Sequence, residues 1–273
     1  MIKPGDRPGS NPLTLPQVDL GPLKVSSATW PEVLVYTESL LRDGGQHYFC
    51  FCEASLLSSL IRDPELARML QTSDAIFPDG IALLRLAKIC GQTLAGRIPG
   101  PRFLLAACEY GASRGWRHFF YGGGPGVADK LAARLQADYR GLLVAGTLSP
   151  PFRASTAEEE RETQAVIEAA KPDLVWVCLG SPKQERWCAE HVGKLKVPLL
   201  LPVGAAFDFH SGQRPWAPAW VRRLGLEWLF RALTGGRRTF LRNIKCVSIV
   251  ALYIAKVALS RLAAPRPRPG GNR

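Results

Sequence analysis

The chain lacks the residue patterns of several common enzyme classes. Its four histidines and seven cysteines show no metal-ligand spacing. It has no Asp-x-Asp pair, which many nucleotide-sugar enzymes use to hold a divalent cation, and no Gly-x-Ser-x-Gly nucleophile motif. These absences argue against zinc-dependent and serine-nucleophile chemistry. They predict a reaction that needs no metal ion and no cofactor.

Acidic residues are scarce at the C-terminal end. Residues 213–273 hold 13 of the 35 Lys and Arg but only one of the 23 Asp and Glu, Glu227, so the formal net charge of +12 resides there. Such a basic segment predicts a polyanionic partner, with nucleic acid, anionic lipid headgroups and a pyrophosphate ligand as the candidates. The odd number of cysteines and the absence of a signal-peptide pattern predict a reducing cytoplasm.

Composition divides the chain into four predicted parts. The Pro- and Gly-rich residues 1–24 predict a flexible leader, and residues 25–212 an α/β catalytic domain. Residues 213–263 predict a basic and aromatic appendage that associates with a membrane, and residues 264–273 a disordered tail. Because 47% of the 273 residues are hydrophobic, the chain can build one large α/β core.

Apolar strand-like runs alternate with helical patterns at spacings typical of βαβ units. We predict strands over 46–52, 74–78, 117–121, 142–146, 174–179 and 198–203, and helices over 55–70, 81–90, 102–115, 127–139 and 157–170. The run from Val175 to Leu179 is almost uniformly apolar, as expected of a strand that is covered on both faces. The sequence therefore predicts a doubly wound, mostly parallel, Rossmann-like sheet. Ligands bind such sheets beyond the carboxyl ends of the strands.

Four sequence features follow predicted strands, so we expect them to meet at that edge. They are Phe77-Pro-Asp-Gly80, Gly122-Gly-Gly-Pro-Gly126, Gly180-Ser-Pro-Lys-Gln-Glu185 and Gly204-Ala-Ala-Phe-Asp208. The Gly-rich turn either presents backbone N–H groups to phosphate oxygens or is only a tight turn. Asp79 is either a general base or a helix N-cap. Lys183 and Gln184 can face a ligand, whereas Glu185 can simply serve the helix dipole. Asp208 either binds a ribose or base edge or caps a helix.

The C-terminal segment combines aromatic residues with arginines. Residues 216–231 interleave the two, and residues 244–262 are mostly apolar over about the length of a membrane span, with Lys256 well inside. An amphipathic helix that lies on an anionic membrane fits this pattern, with Trp at the interface and Arg on the headgroups. A helical subdomain packed on the core and an RNA-binding segment are the alternatives. Exposed apolar surface there also leaves a homo-oligomer open.

Six motifs, taken in their order along the chain, resemble those of the WecG/TagA/CpsF glycosyltransferase family. The four features above are joined by Arg97-Ile-Pro-Gly100 and Gly225-Leu-Glu-Trp-Leu-Phe-Arg231, and together they span about residues 45–243. The resemblance implies an inverting, metal-independent enzyme that moves a hexose-type sugar from a UDP-sugar to a polyprenyl-pyrophosphate-linked acceptor. The product would serve exopolysaccharide, capsule or teichoic-acid-like synthesis. It further implies a cytoplasmic protein bound peripherally to the inner face of the plasma membrane, with no nucleic-acid partner.

The resemblance also implies roles for individual residues. Asp79 is then the general base, and the C-terminal arginines close over the diphosphate. The predicted substrate-binding residues are Glu53, Arg97, Gly122, Gly123, Gly124, Gly180, Lys183, Gln184, Asp208, Arg231, Arg237 and Arg238, with no metal ligand among them.

One departure from the family pattern lies at the end of the first long strand. Where the family usually has Thr-x-Asn, this chain has Phe51-Cys-Glu53. Glu53 adds a carboxylate near Asp79, and two nearby carboxylates push one pKa upward. The departure favours a donor other than the N-acetylmannosamine type, such as a glucosyl donor for exopolysaccharide. It also keeps open a catalytically altered nucleotide-sugar-binding module of a membrane polysaccharide assembly complex.

Overall fold

A computed structural model describes residues 14–151, 153 and 155–263 of the chain. The strands are β1 Gln17–Asp19, β2 Lys24–Ser26, β3 His47–Cys52, β4 Ala75–Pro78, β5 Arg117–Gly122, β6 Leu143–Leu148, β7 Leu174–Cys178 and β8 Leu199–Pro202. The helices are α1 Trp30–Arg42, α2 Ala54–Arg62, α3 Pro64–Leu70, α4 Ile81–Ile89, α5 Gly100–Ala112, α6 Val127–Asp138, α7 Ala157–Ala170, α8 Lys183–His191, α9 Ala206–His210, α10 Ala219–Arg223, α11 Glu227–Thr234 and α12 Gly236–Ala263.

Strands β3 to β8 form one parallel sheet in the order β4-β3-β8-β7-β5-β6. The predicted doubly wound, Rossmann-like fold is confirmed. Helices cover both faces of the sheet. Successive residues of a strand point to opposite faces, so each strand packs against both layers of helices. Tyr48 and Cys50 of β3 pack with α2, α3, α4 and α8, whereas Phe49 and Phe51 pack with α1, α5 and α6 on the other face.

The single helix predicted over 55–70 is wrong, because the structure divides it into α2 and α3. Pro64 begins α3, and a proline ring cannot donate the backbone hydrogen bond that a continuous helix needs. The Asp63 side chain accepts the backbone N–H of Leu66 at 3.0 Å and so caps the second helix. Helix α7 begins at a capping box that Thr156 forms with Glu159.

The N-terminal part of the chain differs from the flexible leader that composition predicts. Strands β1 and β2 pair as an antiparallel hairpin over residues 17–26. Leu20 and Leu23 of this hairpin are buried in the core, with 1% and 2% of their surface exposed. Burial of two leucines favours an ordered hairpin. Residues 1–13 of the predicted leader, and all of the predicted tail 264–273, lie outside the described residues.

The C-terminal appendage consists of helices α10, α11 and α12. Helix α12 begins at Gly236, ahead of the predicted start at 244, and packs against α2 and α4. Its inner face contributes Val250, Tyr253 and Val257 to the core. Its outer face is open, with Leu252 72% exposed. By length and composition alone, Gly236–Leu262 is able to cross a membrane.

Candidate active site

A cavity of about 500 Å³ opens at the carboxyl edge of the sheet. The loops after strands β3 to β8 line it, and helices α11 and α12 of the appendage contribute further lining residues. The predicted site residues that line the cavity are Glu53, Asp79, Gly123, Gly124, Gly180, Lys183, Gln184, Asp208 and Arg231. The predicted residues Gly122, Arg97, Arg237 and Arg238 do not line it. The loops that carry the four sequence features, after β4, β5, β7 and β8, thus meet at the carboxyl edge of the sheet, as expected for parallel strands.

Asp79 follows the last residue of β4. It does not cap α4, whose N-cap position is Gly80. Its Oδ2 instead accepts a hydrogen bond from the backbone N–H of Gly100 at 3.1 Å, at the first residue of α5. Its own backbone N–H donates to the carbonyl of Cys52 on β3 at 3.1 Å. The carboxyl group is therefore held by the start of α5, and the backbone of the same residue is held by β3.

The surroundings of Asp79 suit a general base. Burial, followed by the negative charges of Glu227 and Glu53, raises its pKa to about 7. The hydrogen bond from Gly100 and the positive charge of Arg231 act in the opposite direction. A carboxylate whose pKa lies near neutrality can accept a proton in a reaction at physiological pH.

Glu53 lies beside Asp79. The two residues directly follow Cys52 and Pro78, which are paired across β3 and β4. The Oε2 atom of Glu53 lies 3.2 Å from Nη2 of Arg231, which α11 brings over the cavity. Burial lowers the pKa of Arg231, but Glu53, Asp79 and Glu227 raise it by more. The buried Nε atom of Arg231 has no hydrogen-bond partner among the described residues.

In the Gly-rich turn at the end of β5, Gly122 packs against β7, whereas Gly123 and Gly124 face the cavity. A Cβ atom on Gly122 would lie 2.3 Å from the carbonyl oxygen of Cys178, so this glycine permits the close approach of β5 and β7. The Gly123 N–H donates to that same carbonyl at 2.8 Å. Because this N–H is already bonded, Gly123 is a poor phosphate donor. Gly123 and Gly124 nevertheless line the cavity.

The loop after β7 is held by its own side chains. The Gln184 Oε1 atom accepts the Gly180 N–H at 3.2 Å, and its Nε2 atom donates to Glu185 at 2.9 Å. Gln184 and Glu185 are 3% and 1% exposed. Glu185 is therefore more than a first-turn residue serving the helix dipole, and burial raises its pKa to about 7. Lys183 is exposed at the rim of the cavity.

The other predicted arginines and Asp208 have different surroundings. Arg97 donates to the carbonyl of Arg222 at 2.8 Å and so ties the loop before α5 to the end of α10. Asp208 lies within α9, and its carboxylate is 3.3 Å from Arg214. Arg237 and Arg238 are exposed on the first turn of α12.

Sequence reasoning did not place several of the residues that line the cavity. They are Trp216, Arg214, Glu227, Arg242 and Asn243. Glu227 carried a signal, because it is the one acidic residue in a strongly basic segment. A lone carboxylate among so many cations is expected to have a local partner, and here it lies near Arg231 and Asp79.

A doubly wound parallel sheet with a cavity at its carboxyl edge and a buried carboxyl group inside it is typical of α/β enzymes. The chain belongs to the glycosyl transferase WecG/TagA/CpsF family, whose model matches residues 18–264. It is therefore a glycosyltransferase of this type.

Three curated relatives carry the same name, N-acetylglucosaminyldiphosphoundecaprenol N-acetyl-beta-D-mannosaminyltransferase. The protein from Bacillus spizizenii is 30% identical over 78% of this chain and 79% of its own length. The protein from Bacillus subtilis is 27% identical over 63% and 66%, respectively. The protein from Staphylococcus aureus strain MRSA252 is 27% identical over 69% and 71%.

Proposed function

We propose that this protein is an inverting glycosyltransferase that needs no metal ion. It transfers a hexose-type sugar from a UDP-sugar to a polyprenyl-pyrophosphate-linked glycan in cell-surface polysaccharide biosynthesis, with exopolysaccharide as one such product. The names of the relatives, which describe sugar transfer to a diphosphoundecaprenol-linked acceptor, support the acceptor class. The observation that carries the proposal is Asp79, a carboxyl with a pKa of about 7 inside the cavity.

The proposed reaction is a single displacement. Asp79 takes the proton of an acceptor hydroxyl as that oxygen attacks the anomeric carbon of the donor. The bond from the anomeric carbon to the phosphate oxygen breaks, and UDP leaves with the electron pair. Attack from the face opposite to the leaving group inverts the anomeric centre.

The leaving UDP needs positive charge and hydrogen-bond donors as its own charge develops. Lys183 and Arg214 line the cavity and can supply this charge, and Gly124 lies in the same part of the site. These groups follow β5, β7 and β8, whereas Asp79 follows β4, which β3 separates from β8. We therefore assign the diphosphate to the loops after β5, β7 and β8, and the reacting hydroxyl to the part of the cavity around Asp79.

The decisive experiment is a donor screen with the full chain. The purified protein is incubated with a panel of UDP-sugars and a polyprenyl-diphosphate-linked N-acetylglucosamine, and the mass of the lipid product is measured. We expect one donor to add a single sugar, also in the presence of a metal chelator. Binding of UDP-sugars without transfer of any of them would instead support the nucleotide-sugar-binding module.

The pH dependence of the reaction tests the environment of Asp79. The base must be ionised, so kcat/KM is expected to fall as the pH drops below about 7. Glu227→Gln removes a negative neighbour that raises the pKa of Asp79. In this variant we therefore expect the fall of kcat/KM on the acid side to occur at lower pH than in the wild type, as measured by a pH–rate profile. The exposed Glu190→Gln is the control, and the prediction fails if both variants keep the wild-type limb.

Peripheral association with an anionic membrane is the second part of the proposal. Large apolar side chains are exposed throughout the appendage: Trp220, Leu224, Leu233, Phe240, Leu241, Ile244, Leu252, Leu259 and Leu262. Exposed cations accompany them, including Arg237, Arg238, Lys245 and Lys256. Apolar side chains flanked by cations are typical of a helix lying in the interface of an anionic bilayer.

We expect the triple variant Leu252→Ser, Leu259→Ser, Leu262→Ser to bind anionic vesicles at least about tenfold more weakly, because it removes apolar area that enters the bilayer. Co-sedimentation with phosphatidylglycerol vesicles measures the effect. The matched control replaces three exposed apolar residues outside the appendage, Val35, Leu143 and Val166, by Ser. Equal loss in the two triple variants, or no loss in either, would contradict the assignment of the membrane surface.

A further inference from the structure

The cavity is strongly acidic where Asp79 lies. Three carboxylates, those of Glu53, Asp79 and Glu227, lie around the guanidinium of Arg231, which lines the cavity, and Glu227 also interacts with Arg222 outside the lining. When Asp79 acts as a base, the three carboxylates outnumber the guanidiniums of Arg231 and Arg222, so the cluster then has an excess of negative charge. Such a cluster repels any further anion that approaches it.

We propose that Glu53 is a specificity-determining residue that restricts the reacting donor sugar to uncharged sugars and rejects sugar nucleotides whose sugar bears a carboxylate. This inference rests on the proposed function. It concerns the sugar and not the diphosphate, which we assign to the cations Lys183 and Arg214.

The reacting sugar must lie next to Glu53. A general base needs hydrogen-bond contact with the acceptor hydroxyl, and that oxygen must lie about 3–3.5 Å from the anomeric carbon before reaction. The donor sugar is therefore within a few ångströms of Asp79. Because Cys52 pairs with Pro78, Glu53 lies beside Asp79 on the adjacent strand.

The chemistry of the cluster suits hydroxyl groups. A carboxylate such as Glu53 accepts hydrogen bonds and offers none, so it can bind sugar O–H donors. The buried Nε–H of Arg231 has no acceptor among the described residues, and a sugar oxygen can supply one. A neutral sugar thus satisfies both partners while their ion pair at 3.2 Å stays intact.

A sugar that carries a carboxylate finds no free cation among the described residues of this cluster. The cation within this cluster that could bind it, Arg231, is already paired with Glu53 and faces Asp79 and Glu227 as well. A carboxylate that bonds to the open Nε–H of Arg231 comes close to Glu53, Asp79 and Glu227, and the repulsion between these like charges opposes the contact. Rejection therefore depends on the charge of Glu53 more than on its shape.

The experiment compares matched donors that differ only at C6. The neutral donor found in the screen and its 6-carboxylate counterpart are compared by kcat/KM and by competitive binding, for instance UDP-glucose against UDP-glucuronate. We expect the wild-type protein to prefer the neutral donor by at least about 100-fold, and Glu53→Gln to reduce this preference at least tenfold through binding of the charged donor. Glu53→Asp keeps the charge and should keep the preference, as should the exposed control Glu190→Gln.

Three outcomes overturn the inference. The first is a wild-type protein that accepts the 6-carboxylate donor as well as the neutral one. The second is a folded Glu53→Gln variant, verified by its Tm, with an unchanged preference. The third is loss of preference in Glu53→Asp as well, which would indicate shape instead of charge. If no donor is transferred at all, the proposed function fails, and the competitive binding of the two donors still decides the role of Glu53.

Discussion

Asp79→Asn is expected to lower kcat by about 10²–10⁴-fold, because an amide cannot take the proton of the acceptor hydroxyl. The amide oxygen can still accept the Gly100 N–H that Oδ2 accepts now, so the start of α5 should stay intact. The proposed diphosphate site lies at the loops after β5, β7 and β8 and not at Asp79, so UDP affinity should change little. Single-turnover kinetics measure the first effect and calorimetric titration with UDP the second.

Two controls make this result specific to the base. An unchanged Tm shows that the lost activity is not lost structure, and Glu190→Gln reports the effect of removing an exposed carboxylate elsewhere. Near-normal transfer by Asp79→Asn would remove Asp79 from the role of base. Loss of UDP affinity in parallel with activity would make it a binding residue.

Gly122→Ala should lower the free energy of unfolding by at least about 3 kcal/mol or prevent soluble expression. The added Cβ atom would lie 2.3 Å from the carbonyl oxygen of Cys178, and the backbone φ of +114° is unfavourable for a residue with a side chain. Relief requires the central strands β5 and β7 to separate at the point where Gly122 pairs with Cys178. Urea denaturation followed by circular dichroism measures the change.

Gly124→Ala is the matched variant in the same turn. Its Cβ atom would lie 3.5 Å from the Val127 side chain, which is ordinary contact, so the fold should tolerate it. Since Gly124 lines the cavity, a weaker affinity for UDP without loss of stability would indicate contact with the ligand. A Gly122→Ala variant as stable as the wild type would show that this glycine does not set the approach of the two strands.

Much of the fold was predictable because its signals are local. The uniformly apolar run of β7 indicates a strand covered on both faces, and alternation with helical patterns indicates a parallel sheet. The break between α2 and α3 was also local, since Asp63 and Pro64 mark a helix end and a helix start, but the apolar spacing on either side obscured it. The hairpin of β1 and β2 was not predictable from composition. Its order depends on burying Leu20 and Leu23 in a core formed by distant residues.

For the candidate site, too, some features were predictable from the sequence and others were not. Its position followed from the sequence, because the carboxyl ends of parallel strands lie at one edge. The choice between base and helix cap for Asp79 did not. The side chain bonds to Gly100, which the loop containing Arg97 brings next to β4. Likewise the sequence predicts that Gly123 and Gln184 face a ligand, yet the backbone N–H of Gly123 and the side-chain amide of Gln184 form hydrogen bonds within the protein.

The sequence by itself determined the parallel sheet, the edge at which the loops converge and Asp79 as the residue of interest, because strand pattern and turn chemistry act over a few neighbouring residues. Only the tertiary structure decided the charge balance around Asp79. Electrostatic interactions depend on distance in space, and the pair between Glu53 and Arg231 joins residues 178 positions apart. Burial raises the pKa of Asp79 most, and Glu227, which the packing of the appendage on α2 and α4 brings to the cavity, raises it further.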